Sequence, residues 1–340
     1  MFARLRKPIP PRTYQRITVL ALVFLTLIVV TGAGVRLTGS GLGCTDWPTC
    51  TETRFVADRG DVHAMVEFVN RLITGLVSAA VALAVLGSHR RSPRRRDLVW
   101  LSWGLVAGVV AQVVLGALVT LTHLNPWVVQ GHFVLSMLLL LDGMVLAHRA
   151  GLPDDAVVRP AVTPALLRWG WGLVGLATVV ILTGTLVTGS GPHSGHNEAE
   201  AGASRAARIE AARDVRRLPI AVHDAARIHG IAMVVFLGAT IWVLVQLRRH
   251  GAPERLQSAA TALLTVLVLQ AAIGYTQYFT GVPALLVALH VLGASLVWLA
   301  VLGVALRMQL PLEGPTAHAA DSSGDLGADH VPHGDLVPGR

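Results

Sequence analysis

The sequence carries little charge for its length. Only 14% of its 340 residues are Asp, Glu, Lys or Arg, whereas 53% are hydrophobic, and the mean hydropathy is +0.59. A soluble protein of this size needs a larger share of charged side chains to cover its surface. The composition therefore excludes a soluble globular protein and predicts an integral membrane protein whose surroundings are a lipid bilayer.

Lysine is nearly absent, and Lys7 is its single occurrence. The formal net charge of +8 therefore comes from arginines, which gather in short segments between apolar runs. Such segments stay in the cytoplasm, so they indicate membrane orientation and not a nucleic-acid partner. We expect both termini to be cytoplasmic. The preference for Arg over Lys, without a transit peptide, favours a bacterial plasma membrane. The arginine-bearing segments are residues 4–16, 90–96, 149–168 and 248–255.

Eight apolar runs account for most of the chain. Each is close to the ~20 residues that a helix needs to cross a bilayer. We therefore expect an all-α fold of eight transmembrane helices, with the outer connections at 38–62, 123–126, 189–222 and 280–282. The runs span residues 17–37, 63–87, 98–122, 127–147, 167–188, 224–247, 257–279 and 283–307.

Two segments of the chain repeat each other. Residues 34–41 read GVRLTGSG and residues 184–191 read GTLVTGSG, so five of eight positions are identical. The period of about 150 residues holds four predicted helices. An even number keeps both copies in one orientation, related by a pseudo-twofold axis along the membrane normal. We expect two four-helix bundles at 1–150 and 165–310, a cytoplasmic linker at 151–164 and a disordered tail at 311–340.

Cysteine is scarce as well. The chain has two cysteines, Cys44 and Cys50, and both lie in the first predicted outer loop. Two cysteines this close in an oxidising compartment form one short disulfide most simply. The bond either staples the loop or takes part in redox chemistry, and the sequence leaves both alternatives open.

Residues 63–71 place polar groups at the start of an apolar run. His63, Glu67 and Asn70 follow each other at helical spacing and share one face. An ionisable group inside a membrane costs roughly 2.5–3.5 kcal/mol on insertion scales, so it usually faces a bundle interior and marks function. The alternative is that Glu67 and Arg71 lie at headgroup level and extend to water. The face therefore becomes the first candidate site.

Three histidines lie at matched depth in other apolar runs. His132, His229 and His290 fall within about two turns, ~11 Å, of the predicted outer surface. A single histidine in an apolar helix is usually a core residue with a satisfied hydrogen bond. Three at one depth in a duplicated bundle instead favour axial ligation of heme iron. The C-terminal half supplies the pair His229 and His290, whereas the N-terminal half sets His132 opposite Asn70, a poor iron ligand.

These motifs together resemble the heme A synthase family, over residues ~10–310. The resemblance is carried by GVRLTGSGLGCTDWPTC at 34–50, EFVNR at 67–71, LNPW at 124–127, GTLVTGSGPHSG at 184–195 and the three histidines. It implies oxidation of the C8 methyl of heme O to a formyl group, through a hydroxymethyl stage, giving heme A. It also implies a prenyltransferase, heme O synthase, as upstream partner, and an electron-transfer partner that no residue identifies.

The resemblance also implies roles for individual residues. His229 and His290 would hold a permanent heme b, His132 would line the pocket for the substrate heme, and Glu67 would be the catalytic acid. The cysteines at 44 and 50 would match a pair found in many members.

Asn70 departs from the family pattern, since many members carry a histidine there. Either His63 replaces the missing ligand, or the iron keeps His132 and an open position, which we favour because a substrate heme must leave.

Further polar residues near the predicted outer surface are candidates for binding heme propionates. Arg36, Arg71 and Arg227 carry guanidinium groups that match carboxylate geometry, although extension to the interface explains them equally well. His123, in the short loop before His132, is a candidate partner of a propionate or of the histidine.

Two other functions fit part of the sequence. A non-catalytic di-heme electron carrier would use the histidines, but it would not need Glu67 or two unlike halves. A transporter built on repeats would show Gly- or Pro-broken helices near the membrane midplane, which the sequence lacks. The pairing of heme ligands with an acid favours the enzyme.

Overall fold

Eight long helices form the molecule, as the apolar runs predicted. The computed structural model describes residues 8–41, 43–44, 49–154, 157–194 and 216–312. All eight helices are long and apolar enough to cross a membrane. They are α1 (Pro11–Leu37), α2 (Val62–Arg90), α3 (Arg96–Leu121), α4 (Pro126–Ala150), α5 (Pro164–Ser190), α6 (Val222–Arg249), α7 (Glu254–Phe279) and α8 (Ala284–Arg307).

Polar caps fix the starts of α2 and α4. The Asp61 carboxylate accepts a hydrogen bond from the Ala64 N–H at 3.0 Å, and the Asn125 side chain accepts one from the Trp127 N–H at 3.0 Å. Each bond satisfies a donor that has no partner inside its own helix. Pro126 follows Asn125, and its fixed φ suits the first helical position. The caps thereby set the depth of the polar residues that follow in both helices.

The two halves of the chain use the same helix contacts. In the first half, α1 and α3 each pack against α2 and α4. In the second half, α5 and α7 each pack against α6 and α8. The halves meet where α8 contacts α1 and α4, and where α4 contacts α5. The pseudo-twofold relation between two bundles and their boundaries stay predictions.

A short strand pair closes the side of the molecule where α1 begins and α8 ends, which we call the termini side. Strand β1 (Val157–Pro160), in the predicted linker, pairs antiparallel with β2 (Gln309–Leu312). Residues 311 and 312, which we expected in the tail, therefore pair with residues 158 and 157. The remainder of that tail, 313–340, lies outside the described residues.

Arginines of the termini side form ion pairs with Asp97 of α3 and with Asp154 of the linker. The buried Arg91 guanidinium binds Asp154, and Arg95 binds Asp97 at 2.8 Å. Arg149 reaches the same Asp97 carboxylate at 3.5 Å. Arginines that the sequence marked as orientation signals therefore also connect the α2–α3 loop to the linker.

Two hydrogen bonds join the halves within the helical region. The Trp298 indole of α8 is 4% exposed, and its N–H donates to the backbone carbonyl of Met137 in α4 at 2.9 Å. The Thr185 hydroxyl of α5 donates to the side-chain carbonyl of Gln130 in α4 at 3.2 Å. Helix α4 is thus fixed to both α5 and α8.

Trp298 should matter for stability more than a tryptophan on the lipid-facing surface. Replacing a buried aromatic residue by alanine costs about 3–5 kcal/mol, because packing is lost and a cavity remains. We expect Trp298→Ala to lower the midpoint of thermal unfolding in detergent clearly. Trp298→Phe, which loses mainly a hydrogen bond of about 1 kcal/mol, should lower it less.

The matched control is Trp100→Ala, because the Trp100 side chain is 75% exposed. Equal midpoints for Trp298→Ala and Trp100→Ala would contradict a stabilising contact between the halves.

Candidate functional site

Two histidine rings face each other between α6 and α8. The ring centroids of His229 and His290 are 6.4 Å apart, and the ring planes are inclined by 78°. Two imidazoles that bind one metal from opposite sides place their centroids roughly 6 Å apart, because each metal–nitrogen bond is about 2 Å. The separation of this pair therefore fits two axial ligands of one iron.

The His229 ring is oriented by α5. Its Nδ1 lies 3.1 Å from the Val180 carbonyl oxygen and 3.2 Å from the Thr183 hydroxyl. A ring that donates its Nδ1 proton to a carbonyl keeps Nε2 as the unprotonated nitrogen, which is the form that binds a metal. Hydrogen bonding to α5 thus favours the form of His229 that could bind a metal through Nε2.

Glycines let neighbouring helices approach the two rings. A Cβ on Gly184 of α5 would lie 3.2 Å from Cε1 of His229. A Cβ on Gly274 of α7 would lie 2.9 Å from Cε1 of His290, closer than real Cβ contacts allow. Only glycine leaves room for the His290 ring at this position.

The N-terminal half repeats the surroundings of His290 around His132. The Gln270 amide donates to the backbone carbonyl of His290 at 2.7 Å, and the Gln112 amide donates to that of His132 at 3.2 Å. Gly116 of α3 stands beside His132 as Gly274 stands beside His290. Gln112, Gly116 and His132 recur at the same spacing as Gln270, Gly274 and His290.

Sequence reasoning missed the two glutamines and the role of Gly274. Their signal was present in the sequence. When His132 is aligned with His290, Gln112 aligns with Gln270 and Gly116 aligns with Gly274.

Asn70 and His63 occupy different surroundings on α2. The Asn70 side-chain oxygen is buried and makes no hydrogen bond to any described residue. His63, in the first turn, is exposed, and its Nδ1 lies 3.0 Å from the Ser40 hydroxyl. The structure thus places His63 against the end of α1, two helical turns from Asn70.

Glu67 is buried beneath the first outer loop. It is 7% exposed, and its Oε1 lies 2.6 Å from the Arg71 guanidinium. Its Oε2 accepts a hydrogen bond from the Cys44 N–H at 2.9 Å. Arg71 also donates to the Thr49 carbonyl at 3.0 Å. The acid and its arginine therefore bind the loop at both ends of its cysteine segment, and Glu67 does not extend to water.

The two cysteines form the predicted disulfide on top of α2. Cys44 and Cys50 are bonded to each other and almost fully buried. A Cβ on the neighbouring Gly43 would overlap the backbone of His63, so the loop lies directly on the first turn of α2. The disulfide is thus packed against the helix that carries Glu67.

Other predicted site residues stand apart from these groups. Arg36 is half-buried near the end of α1, whereas Arg227 and His123 are exposed. Within the described ranges, the side chains of all three lack a hydrogen bond or ion pair. Their assignment to heme propionates stays a prediction.

Comparison with known proteins decides the family. The model of the COX15-CtaA family, described as cytochrome oxidase assembly protein, matches residues 15–62 and 55–302. The chain belongs to this family. Together with eight apolar helices and bacterial relatives, membership makes it a multi-pass bacterial membrane protein.

Relatives of this COX15-CtaA member carry the name heme A synthase. One from Geobacillus kaustophilus is 34% identical over 35% of this chain and 39% of its own length. One from Bacillus pumilus is 29% identical over 50% of this chain and 57% of its own length. These matches cover less than two thirds of either relative. One from Staphylococcus saprophyticus is 24% identical over 83% of this chain and 91% of its own length.

The structure brings the predicted site residues together in two groups. One group is His229 with His290, and the other is Glu67 with Arg71 and the disulfide. The chemical role of each residue remains a prediction.

Glu67→Ala should loosen the disulfide loop. The substitution removes the bonds to Arg71 and to the Cys44 N–H, and a hydrogen bond to a charged group contributes about 1.5–3 kcal/mol. Loss of about 1.4 kcal/mol changes an equilibrium tenfold, so we expect reduction by dithiothreitol to be about tenfold faster or more. The measurement is the rate of maleimide labelling of the released thiols.

Glu52→Ala is the matched control, because Glu52 is an exposed acid of the same loop. Equal rates for the two variants would mean that Glu67 does not hold the loop.

Proposed function

We propose that the protein is a heme A synthase that oxidises the C8 methyl of heme O to a formyl group through a hydroxymethyl intermediate. The observation that carries the proposal is a contrast between the two halves. The C-terminal half pairs His229 with His290, whereas the N-terminal half has His132 without a paired histidine and also carries the buried acid Glu67. Family membership and the names of the relatives support it.

The C-terminal half is the proposed site of a permanent heme b. His229 and His290 would hold its iron, and their 6.4 Å separation fits that role. A bound heme b supplies one-electron transfer. The residues around it act on the ligands: Val180 and Thr183 fix the ring of His229, while Gly274 leaves space for that of His290.

The N-terminal half is the proposed site of the substrate. His132 would bind the iron of heme O, and Gln112 holds the backbone at His132 as Gln270 does at His290. Asn70 would face the opposite side of the ring. The absence of a second histidine suits a heme that must enter and leave.

Glu67 is the proposed catalytic acid, acting on the methyl carbon. Oxidation of that carbon develops positive charge, which a fixed carboxylate stabilises. Arg71 and the Cys44 N–H hold the carboxylate in place. With water as the oxygen source, the hydroxymethyl stage releases two electrons and two protons, and the formyl stage releases two more of each. The electrons leave to an acceptor protein, and the protons leave to a base.

The proposal also includes the surroundings of the enzyme. Both termini face the cytoplasm, and the site lies near the outer surface of a bacterial plasma membrane. Heme O synthase, a prenyltransferase, supplies the substrate, and a separate electron-transfer protein accepts the electrons. Arg36, Arg227 and His123 remain candidates for the propionates.

A di-heme electron carrier is the second candidate. It is favoured by the repetition of glutamine, glycine and histidine around His132 and His290. It gives no role to the buried acid Glu67.

Extraction and chromatography of the bound hemes separates the two candidates. We expect wild-type protein to contain heme b together with heme O, a hydroxylated intermediate or heme A. Glu67→Ala should accumulate an unfinished heme and form heme A at least ~100-fold more slowly, within the range for loss of one transition-state electrostatic contact. Glu67→Gln tests the charge, since it keeps the size of the side chain. Heme b alone in every variant would favour the electron carrier.

The two halves should lose their hemes independently. His290→Ala removes one proposed heme b ligand and leaves His132 untouched, so heme b should fall strongly while heme O stays. His132→Ala should do the reverse. The amounts of heme b and heme O per protein, separated by chromatography after extraction, check this, with exposed His250→Ala as control. Parallel loss of both hemes in each variant would contradict two separate sites.

A further inference from the structure

The two halves differ most clearly at one residue in the second helix of each half, which is α2 in the first half and α6 in the second. His229 lies in the second turn of α6, and Asn70 lies at nearly the same distance from the start of α2. The histidine on the fourth helix of each half has the same surroundings, because His132 and His290 share glutamine and glycine neighbours. By this internal comparison, Asn70 takes the place opposite His132 that His229 takes opposite His290.

The Asn70 side chain has spare hydrogen-bonding capacity. Its oxygen is buried without a partner in the described part of the chain. The carboxamide nitrogen of Asn70 likewise makes no hydrogen bond to a described residue, so both the donor and the acceptor of this side chain are available to a bound group. The carboxamide also carries two donor hydrogens, so it can bind either end of a small polar molecule.

Three other side chains of the first half that could bind iron, those of His63, Met65 and Met137, make other contacts. His63 is exposed and bound to Ser40, at about 10 Å along the helix from Asn70. Met65 packs against the buried disulfide. Met137 belongs to the core around Trp298, five residues beyond His132.

The N-terminal half has open space where the C-terminal half has the ring of His229. A Cβ on Gly184 would meet the ring of His229 at 3.2 Å, whereas a Cβ on Gly34, its repeat partner, would meet nothing within 4 Å. The N-terminal half therefore leaves room where the C-terminal half is filled by an imidazole.

We propose that a heme iron bound by His132 keeps its sixth coordination position free on the Asn70 side, and that this position binds a small uncharged diatomic molecule, with the carboxamide of Asn70 donating a hydrogen bond to it. The inference rests on the proposed binding of heme O in the N-terminal half. The C-terminal half should not bind such a ligand, because His229 and His290 would hold the iron of the proposed heme b from both sides.

Carbon monoxide is the probe, applied to the reduced full-length protein with its hemes. We expect one carbon monoxide per chain, which is half of the total heme. Asn70→His should supply a second imidazole and lower carbon monoxide binding at least tenfold. Val69→His is the matched control, because Val69 is 45% exposed and points away from the bundle; it should bind carbon monoxide as the wild type does.

Asn70→Ala tests the hydrogen bond and covers the case in which Asn70→His fails to fold. It should bind one carbon monoxide per chain but release it about fivefold faster, the effect of losing one hydrogen bond near 1 kcal/mol.

Absence of carbon monoxide binding, while extraction shows heme O or heme A present, would overturn this inference and leave the proposed function standing. Unchanged binding in Asn70→His would also overturn it. Absence of any heme besides heme b would overturn both.

Discussion

The structure depends on one constraint: a polar group inside an apolar helix bundle must find its partner within the protein or in a ligand. Most hydroxyl groups in the helices meet it by bonding to a backbone carbonyl one turn earlier, as Thr74 does with Asn70. Glu67 meets it through Arg71 and the Cys44 N–H. The side-chain oxygens of Asn70, Gln112 and Gln270 do not meet it among the described residues, and all three lie close to the candidate heme sites.

The internal repeat accounts for the likeness of the two proposed sites, and the second helix of each half accounts for their difference. The glutamine and glycine neighbours of His132 and His290 are shared, so the frame for a heme ligand is common to both halves. The second helix is where the halves diverge. In α6 it supplies His229, whereas in α2 it supplies Asn70, together with the acid and the arginine that hold the disulfide loop. This difference suits the proposed roles, in which heme b is retained in one half and the substrate heme must leave the other.

Part of this could be predicted from the sequence, because apolar runs and two nearby cysteines are local signals. The eight helices and the disulfide are confirmed. The contact between Glu67 and the Cys44 N–H could not be predicted, since it depends on how a loop folds back onto a helix. The same applies to the contact of Trp298 with Met137, which joins residues far apart in the chain. Asn70 was recognised as a departure, but the exposure of His63 and its bond to Ser40 required the structure.

A cryo-EM map of the full-length protein purified with its hemes would show whether each half holds a porphyrin of its own. We expect two porphyrins, one in each half. The first should have both axial positions filled by His229 and His290, and the second should be joined to the protein through His132 alone, with Asn70 across the ring. A single porphyrin shared between the halves, or a second axial bond from His63, would contradict this expectation.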